Sequence, residues 1–234
     1  YAFYYLYGKV LYMDGNREPI TKPRRGGLPT AIAQAPLRTV RPAQLSAIYA
    51  NPSKELLRLY RQKLVYRLGC GAYIGVPDAQ VGIAWRPSTV EAAMAYAASV
   101  FGEDVPILAG IGASRWWGLI PREMGTCPIL VPRQHRNVAL TGGIQVCFSI
   151  SRYHLQDTEL VTCHLGQFRV QTREQTLLDL VSRPEWGQAP SEAINAAKAL
   201  LGRVNTQKVA KLARDQKLQS AWDQFFENYN EKRC

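Results

Sequence analysis

Three cations stand at helical spacing between Pro52 and Lys63: Lys54, Arg58 and Arg61, at i, i+4 and i+7, with Gln62 beside them. Side chains so spaced share one face of an α-helix. A guanidinium carries paired N–H donors that fit O6 and N7 of guanine, and a carboxamide fits the edge of adenine. Arg58, Gln62 and Lys54 are therefore the candidate base readers. Arg61, Arg67 and Arg41 suit phosphates, contacts that set register without reading sequence. Ser53, at the start of the same segment, is read as the N-cap of the helix and counted with the DNA-facing residues.

Catalytic constellations do not assemble comparably. The D-x-K string Asp215-Gln216-Lys217 lies in helical sequence without a partner carboxylate on an upstream strand, as a metal-dependent nuclease would need. Gly112-Ala113-Ser114 is followed by Arg115-Trp116, where a nucleotidyltransferase requires metal-binding carboxylates. The sequence has no Walker phosphate loop, no G-x-S-x-G elbow and no H-E-x-x-H helix. Cys70, Cys127, Cys147, Cys163 and Cys234 are odd in number and never form C-x-x-C, which favours free thiols in a reducing compartment. Cys163, His164 and His154 lack regular ligand spacing. A non-enzymatic protein without metal or cofactor is expected.

The elements that must position the cationic face follow from hydrophobic period and turn chemistry. Leu56, Leu57, Tyr60 and Leu64 are expected to form the buried side of the basic helix, Ser53 to about Lys63. Ala31, Ile32, Ala33 and Leu37 suggest a short helix before it. Pro42 opens a second, in which Leu45, Ile48 and Tyr49 share a face until Ala50-Asn51-Pro52 breaks it. Leu64–Leu68 and Ala72–Val76 read as strands around the tight turn Gly69-Cys70-Gly71. Helix, turn, basic helix and hairpin together make a winged helix-turn-helix over residues 28–80. The basic helix would enter a major groove and the wing would lie along the neighbouring backbone.

Charge distribution agrees with this placement. Residues 1–67 hold 12 Lys and Arg against 3 Asp and Glu, a net of +9, out of +11 for the whole chain. Such a local excess is the footprint of a phosphate-binding region. Residues 1–27 are expected to be a basic arm whose segment Lys22–Gly27 suits a minor groove. The aromatic start, Tyr1–Tyr7, is too short to span a bilayer and has no basic region before it. A cytoplasmic location without membrane attachment is the expectation.

Beyond a linker from Asp78 to Pro87, residues 88–234 read as a mixed domain, which makes the fold class α+β. Ser88 and Glu91 form a capping box ahead of an Ala-rich helix to about Phe101. Ala109–Leu119 suggests a helix whose Trp116 and Trp117 belong to the core. Strand signals follow at 128–132, 144–150, 160–165 and 168–171, the last two pairing around Gly166-Gln167, and Arg133–Asn137 reads as a basic, solvated loop. Helices are expected over 173–182, 191–201, 205–215 and from 218 to about 229. Lys208, Lys211 and Arg214 form a basic stripe on the third of these.

Two segments resemble the AbiEi family of antitoxins from bacterial abortive-infection toxin–antitoxin pairs. Leu56 to Tyr73 is similar to the family's run from basic helix to G-x-Y wing. Thr172-Arg173-Glu174-Gln175-Thr176-Leu177-Leu178-Asp179-Leu180-Val181-Ser182-Arg183-Pro184 is similar to its ERTLLDLLDRP segment. Between them, Leu108–Leu119 resembles a helix of the same domain. The resemblance runs from about Leu28 to the end, and residues 1–27 are an extension outside it. It implies a repressor that binds double-stranded operator DNA of its own operon. It also implies a carboxyl-terminal domain that counteracts a nucleotidyltransferase-like toxin. On physical grounds alone, Asp179 is a capping or salt-bridging residue.

Overall fold

The computed structural model describes residues 5–6, 9–10, 27–82, 84–102 and 105–231. The basic arm, through Gly26, falls outside the described residues except for β1 (Tyr5–Leu6), which pairs antiparallel with β2 (Lys9–Val10). From Gly27 the chain forms a small amino-terminal layer. Helix α1 (Thr30–Ala33) is a single turn, followed by a 3-10 turn at Pro36–Arg38 and strand β3 (Thr39–Val40). The helix expected from Pro42 is a four-residue 3-10 turn, Pro42–Leu45, and of its expected face only Leu45 is buried. Ile48 is 57% exposed, because the chain leaves the turn before a second helical repeat can return it to the core.

Helix α2 (Pro52–Arg61) leads into β4 (Val65–Gly69) and β5 (Ala72–Gly75). These form an antiparallel three-stranded sheet in the order β3-β5-β4. Cys70 and Gly71 make the two-residue connection with φ of 49° and 76°. Positive φ at both positions matches the right-handed twist of the flanking strands. The register slips between Arg67 and Gly69, a bulge that increases the local bend.

Helix α3 (Thr89–Phe101) has no solvent face over most of its length: every residue from Thr89 to Ser99 except Glu91 is buried. Its cap is the reciprocal pair anticipated from sequence, with Ser88 Oγ accepting from the Glu91 amide and Glu91 Oε2 accepting from the Ser88 amide. A helix apolar on all sides must be covered on all sides. Leu37, Leu68, Ala72 and Ile74 from the amino-terminal layer cover one side. Cys127, Ile129, Val146, Phe148 and Val170 from the large sheet complete the same cluster.

The large sheet has six strands, β6 (Ile107–Leu108), β7 (Thr126–Leu130), β8 (Val138–Leu140), β9 (Ile144–Ser149), β10 (Thr158–Cys163) and β11 (Gly166–Gln171), in the order β10-β11-β6-β7-β9-β8. The β11–β6 and β7–β9 pairs are parallel and the others antiparallel. The β10–β11 turn is His164-Leu165 rather than Gly166-Gln167, since Cys163 already pairs with Gly166. Helix α4 (Gly110–Trp116) sets Trp116 edge-on against Phe168, 4.9 Å between ring centroids. Trp117 Nε1 donates to the Gln171 carbonyl at 3.1 Å. In the basic connection, Arg133 and Arg136 are exposed, whereas His135 sits between Phe101 and Phe148.

Helices α5 (Arg173–Ser182), α6 (Pro190–Leu201), α7 (Thr206–Asp215) and α8 (Gln219–Glu231) surround a second cluster that includes Leu177, Leu178, Ala197, Leu200, Val209 and Trp222. A buried polar network joins these helices to the sheet. Asp179, 1% exposed, accepts from Arg183 Nη2 at 2.6 Å and from Gln171 Nε2 at 2.7 Å. Gln171 Oε1 accepts the Gly110 amide at 2.9 Å, and Gln175 and Gln216 exchange amide hydrogen bonds. Lys208, on the expected basic stripe, is drawn into ion pairs with Asp157 at 2.6 Å and Glu174 at 3.6 Å.

Removing one partner of a buried ion pair leaves the other without compensation. Asp179→Ala should therefore lower stability by about 3 kcal/mol, near the lower end of that class because Arg183 retains some solvent. The check is a urea transition whose midpoint falls while its slope is unchanged.

Candidate nucleic-acid interface

The candidate interface centres on α2, whose geometry begins with two caps. Asn51, not Ser53, is the N-cap: Asn51 Oδ1 accepts the Lys54 amide at 3.1 Å, with Pro52 at the first helical position. Proline fits there because that amide has no intrahelical partner, so the helix starts two residues earlier than an N-cap at Ser53 implies. Ser53 is exposed on the first turn.

At the other end the Leu64 amide donates to the Leu59 carbonyl and the Lys63 amide to the Tyr60 carbonyl, each at 3.0 Å, with Lys63 at φ 57°. This is a Schellman closure, with Leu59 and Leu64 making its hydrophobic contact. It turns the chain directly into β4.

The helix is amphipathic, but not as expected. Leu56 and Leu59 are fully buried and pack with Ile32, Val40, Leu45, Leu64 and Val65. Leu57 and Tyr60, expected in the core, are 43% and 46% exposed. The seam is narrow because the layer beneath it is thin: a one-turn helix and short strands can cover only the residues pointing straight down. Leu57 is three residues after Lys54 and four before Arg61, and this spacing was the available signal that it shares their face.

Lys54, Arg58 and Arg61 are exposed on α2, and Gln62 is exposed at its C-cap. Arg58 is held along the helix surface. Its Nε donates to Glu55 Oε2 at 2.9 Å, Nη2 to Glu55 Oε1 at 2.5 Å and Nη1 to Gln62 Oε1 at 2.9 Å. Of the five guanidinium hydrogens, one on each terminal nitrogen remains for an outside acceptor. The same contact holds the Glu55 carboxyl below its usual range, chiefly through the Arg58 hydrogen bonds. Glu55 is the participant that sequence reasoning missed: it is the sole carboxylate of the segment and stands three residues before Arg58.

The other two candidates occupy different places. Arg67 is exposed on β4 opposite Tyr73. Arg41 turns toward α3, donating from Nε to Ser99 Oγ at 3.3 Å, with its guanidinium 5.2 Å from the Tyr96 ring centroid. The hairpin tip is anchored to the large sheet, since the Leu68 carbonyl accepts the Thr141 amide at 2.8 Å and Cys70 Sγ lies 3.5 Å from the Ala139 carbonyl. The hairpin therefore offers its Arg67 flank more than its tip. Tyr49, Ala50, Asn51, Lys54, Leu57 and Arg58 line one open groove beside α2.

Among the described residues no three His, Cys, Asp or Glu side chains stand together as a metal-holding group. Among them, too, no helix is long and apolar enough to cross a membrane.

Because its partner is Arg58, the Glu55 carboxylate contributes to the helix above the ordinary carboxyl pKa, and the contribution is lost as pH falls through its lowered value. A carboxyl-resolved NMR titration should find Glu55 ionising below 4.5, and Arg58→Ala should return it to about that ordinary value.

Residues 108–225 match the family model described as the AbiEi antitoxin C-terminal domain. The matched span includes Asp179 and its partners Gln171 and Arg183. The fold is similar to the crystal structure of the RV2827C protein from Mycobacterium tuberculosis. That likeness has a TM-score of 0.50 at 16% identity and covers 79% of this chain and 72% of the other. No curated protein sequence matches the chain.

Proposed function

Since this chain belongs to the AbiEi family of antitoxins, we propose that it binds operator DNA as a repressor of its own operon and counteracts a cognate nucleotidyltransferase-like toxin. The observation that carries the DNA-binding half is the outward cationic face of α2, with Lys54, Arg58, Arg61 and Gln62 exposed beside a β-hairpin. In this reading residues 28–80 act as a winged helix-turn-helix in which a 3-10 turn replaces the middle helix. Helix α2 enters the major groove, and Arg67 on the hairpin meets the adjoining backbone. The toxin-directed half is supported by the family to which the carboxyl-terminal domain belongs. The protein acts in the cytoplasm by binding, without a cofactor.

The roles within α2 divide by hydrogen-bonding state. Arg58 keeps one N–H on each terminal nitrogen, and exchanging its light hold on Glu55 or Gln62 frees the pair needed for guanine. Gln62, already accepting from Arg58, keeps its amide donors for a neighbouring base. Lys54 and Arg61 carry no ion pair with a described residue and neutralise phosphate on either side. Ser53, at the exposed start of the helix, is placed to donate to a phosphate, and Arg41 supports the interface by tying its base to α3. Glu55 opposes DNA through its own charge and restrains Arg58.

Measured on duplex DNA, Arg58→Ala and Gln62→Ala should each cost about 1–3 kcal/mol on the preferred sequence and much less on unrelated duplexes. Lys54→Ala and Arg61→Ala should weaken all duplexes alike and reduce the salt slope by about one. Glu55→Gln should tighten binding irrespective of sequence. Unchanged affinity in both Arg58→Ala and Gln62→Ala would remove α2 from the interface.

A further inference from the structure

The exposed face of α2 contains one side chain that no cationic or hydrogen-bonding role explains. Leu57 stands between Lys54 and Arg61, 43% exposed, and takes no part in the hydrophobic cluster beneath the helix. Isolated apolar residues on a surface are common and carry no meaning by themselves. Leu57 differs in its setting. Cations occupy the positions three before and four after it, and Arg58 is drawn back along the helix by Glu55 and Gln62. Leu57 thus gives the side of the cationic face toward Tyr60 an aliphatic surface. A surface that matches this face is anionic where it meets the cations and presents something apolar beside them.

The major groove has that pattern. Its rims are phosphates, and among the groups its base pairs present is one apolar feature, the C5-methyl of thymine. We propose that Leu57 reads a thymine methyl group and so fixes one position of the recognised sequence. The proposal rests on the DNA-binding reading above and deepens it, because Arg58 and Gln62 select bases by hydrogen bonding whereas Leu57 selects by apolar contact. Burying one methyl group against a leucine side chain corresponds to a discrimination of about three- to tenfold. Tyr60, 46% exposed three residues further on, extends the same apolar flank.

The experiment uses the full chain and duplexes selected by it from a random-sequence pool. Each thymine of the selected site is replaced in turn by deoxyuridine, which removes only the methyl group, and affinities are compared for the parent and Leu57→Ala. Alanine at an exposed helical position preserves the fold, which an unchanged melting temperature verifies. At one thymine the parent should lose about three- to tenfold on replacement by deoxyuridine, while Leu57→Ala binds both duplexes equally.

If the parent distinguishes the two bases nowhere, or if Leu57→Ala distinguishes them as the parent does, Leu57 does not read the methyl group although the interface stands. If the pool yields no preferred sequence and Arg58→Ala binds duplex as the parent does, the interface itself is misplaced and the proposal fails with it. Loss of toxin neutralisation by Leu57→Ala with duplex discrimination intact would assign this side chain to a protein partner and overturn the proposal.

Discussion

A helix without a wet side imposes an arrangement on everything around it, and α3 is such a helix. Its body of Ala92, Ala93, Ala95, Ala97 and Ala98 lets backbones approach closely, so that a three-stranded sheet and a six-stranded sheet both reach it. Exposing either side would return apolar surface to water at roughly 25 cal/mol per Å². The amino-terminal layer is therefore built against the larger domain, and residues on both sides of the stretch read as a linker share one core. Arg41 reinforces the contact through Ser99 and Tyr96, and the β4–β5 turn does so through Thr141. The orientation of α2 relative to the antitoxin domain follows from these contacts.

Two arginine–carboxylate pairs in this molecule have opposite physical characters. Asp179 is withdrawn from water and Arg183 largely so, and Gln171 and Gln175 complete their geometry; through Gln171 the pair ties α5 to the sheet at a high cost of disruption. Glu55 and Arg58 lie on the surface, where solvent and salt screen their attraction and where breaking the pair costs little. A guanidinium held this lightly is oriented in advance yet free to exchange its partner. That difference separates the residue that builds the domain from the residue proposed to read a base.

Much of the carboxyl-terminal half was readable in advance because its helices are long enough to display a period and carry strong boundaries. Thr172 and Asn205 cap α5 and α7, Pro190 opens α6, and Ser88 with Glu91 marks the start of α3. The two-residue strands β3 and β6 could not be read, because a pair of residues has no period and takes its extended form from the neighbour it bonds to. The same reason explains Pro42–Leu45, where a proline start and two apolar residues suit an α-helix and a 3-10 turn equally.

What the amino-acid sequence determined by itself was chemical: where the positive charge gathers, which side chains can pair with bases and phosphates, and which family segment surrounds Asp179. Local covalent preference and composition are sufficient for these. Which leucines of α2 go inward was decided only by tertiary structure, because burial depends on the extent of the surface beneath the helix and not on the helix alone. Leu56 and Leu59 met that surface, while Leu57 and Tyr60 were left beside the cations. The anchoring of the hairpin tip and the diversion of Arg41 to α3 were decided in the same way, by partners distant in sequence that helical spacing cannot reveal.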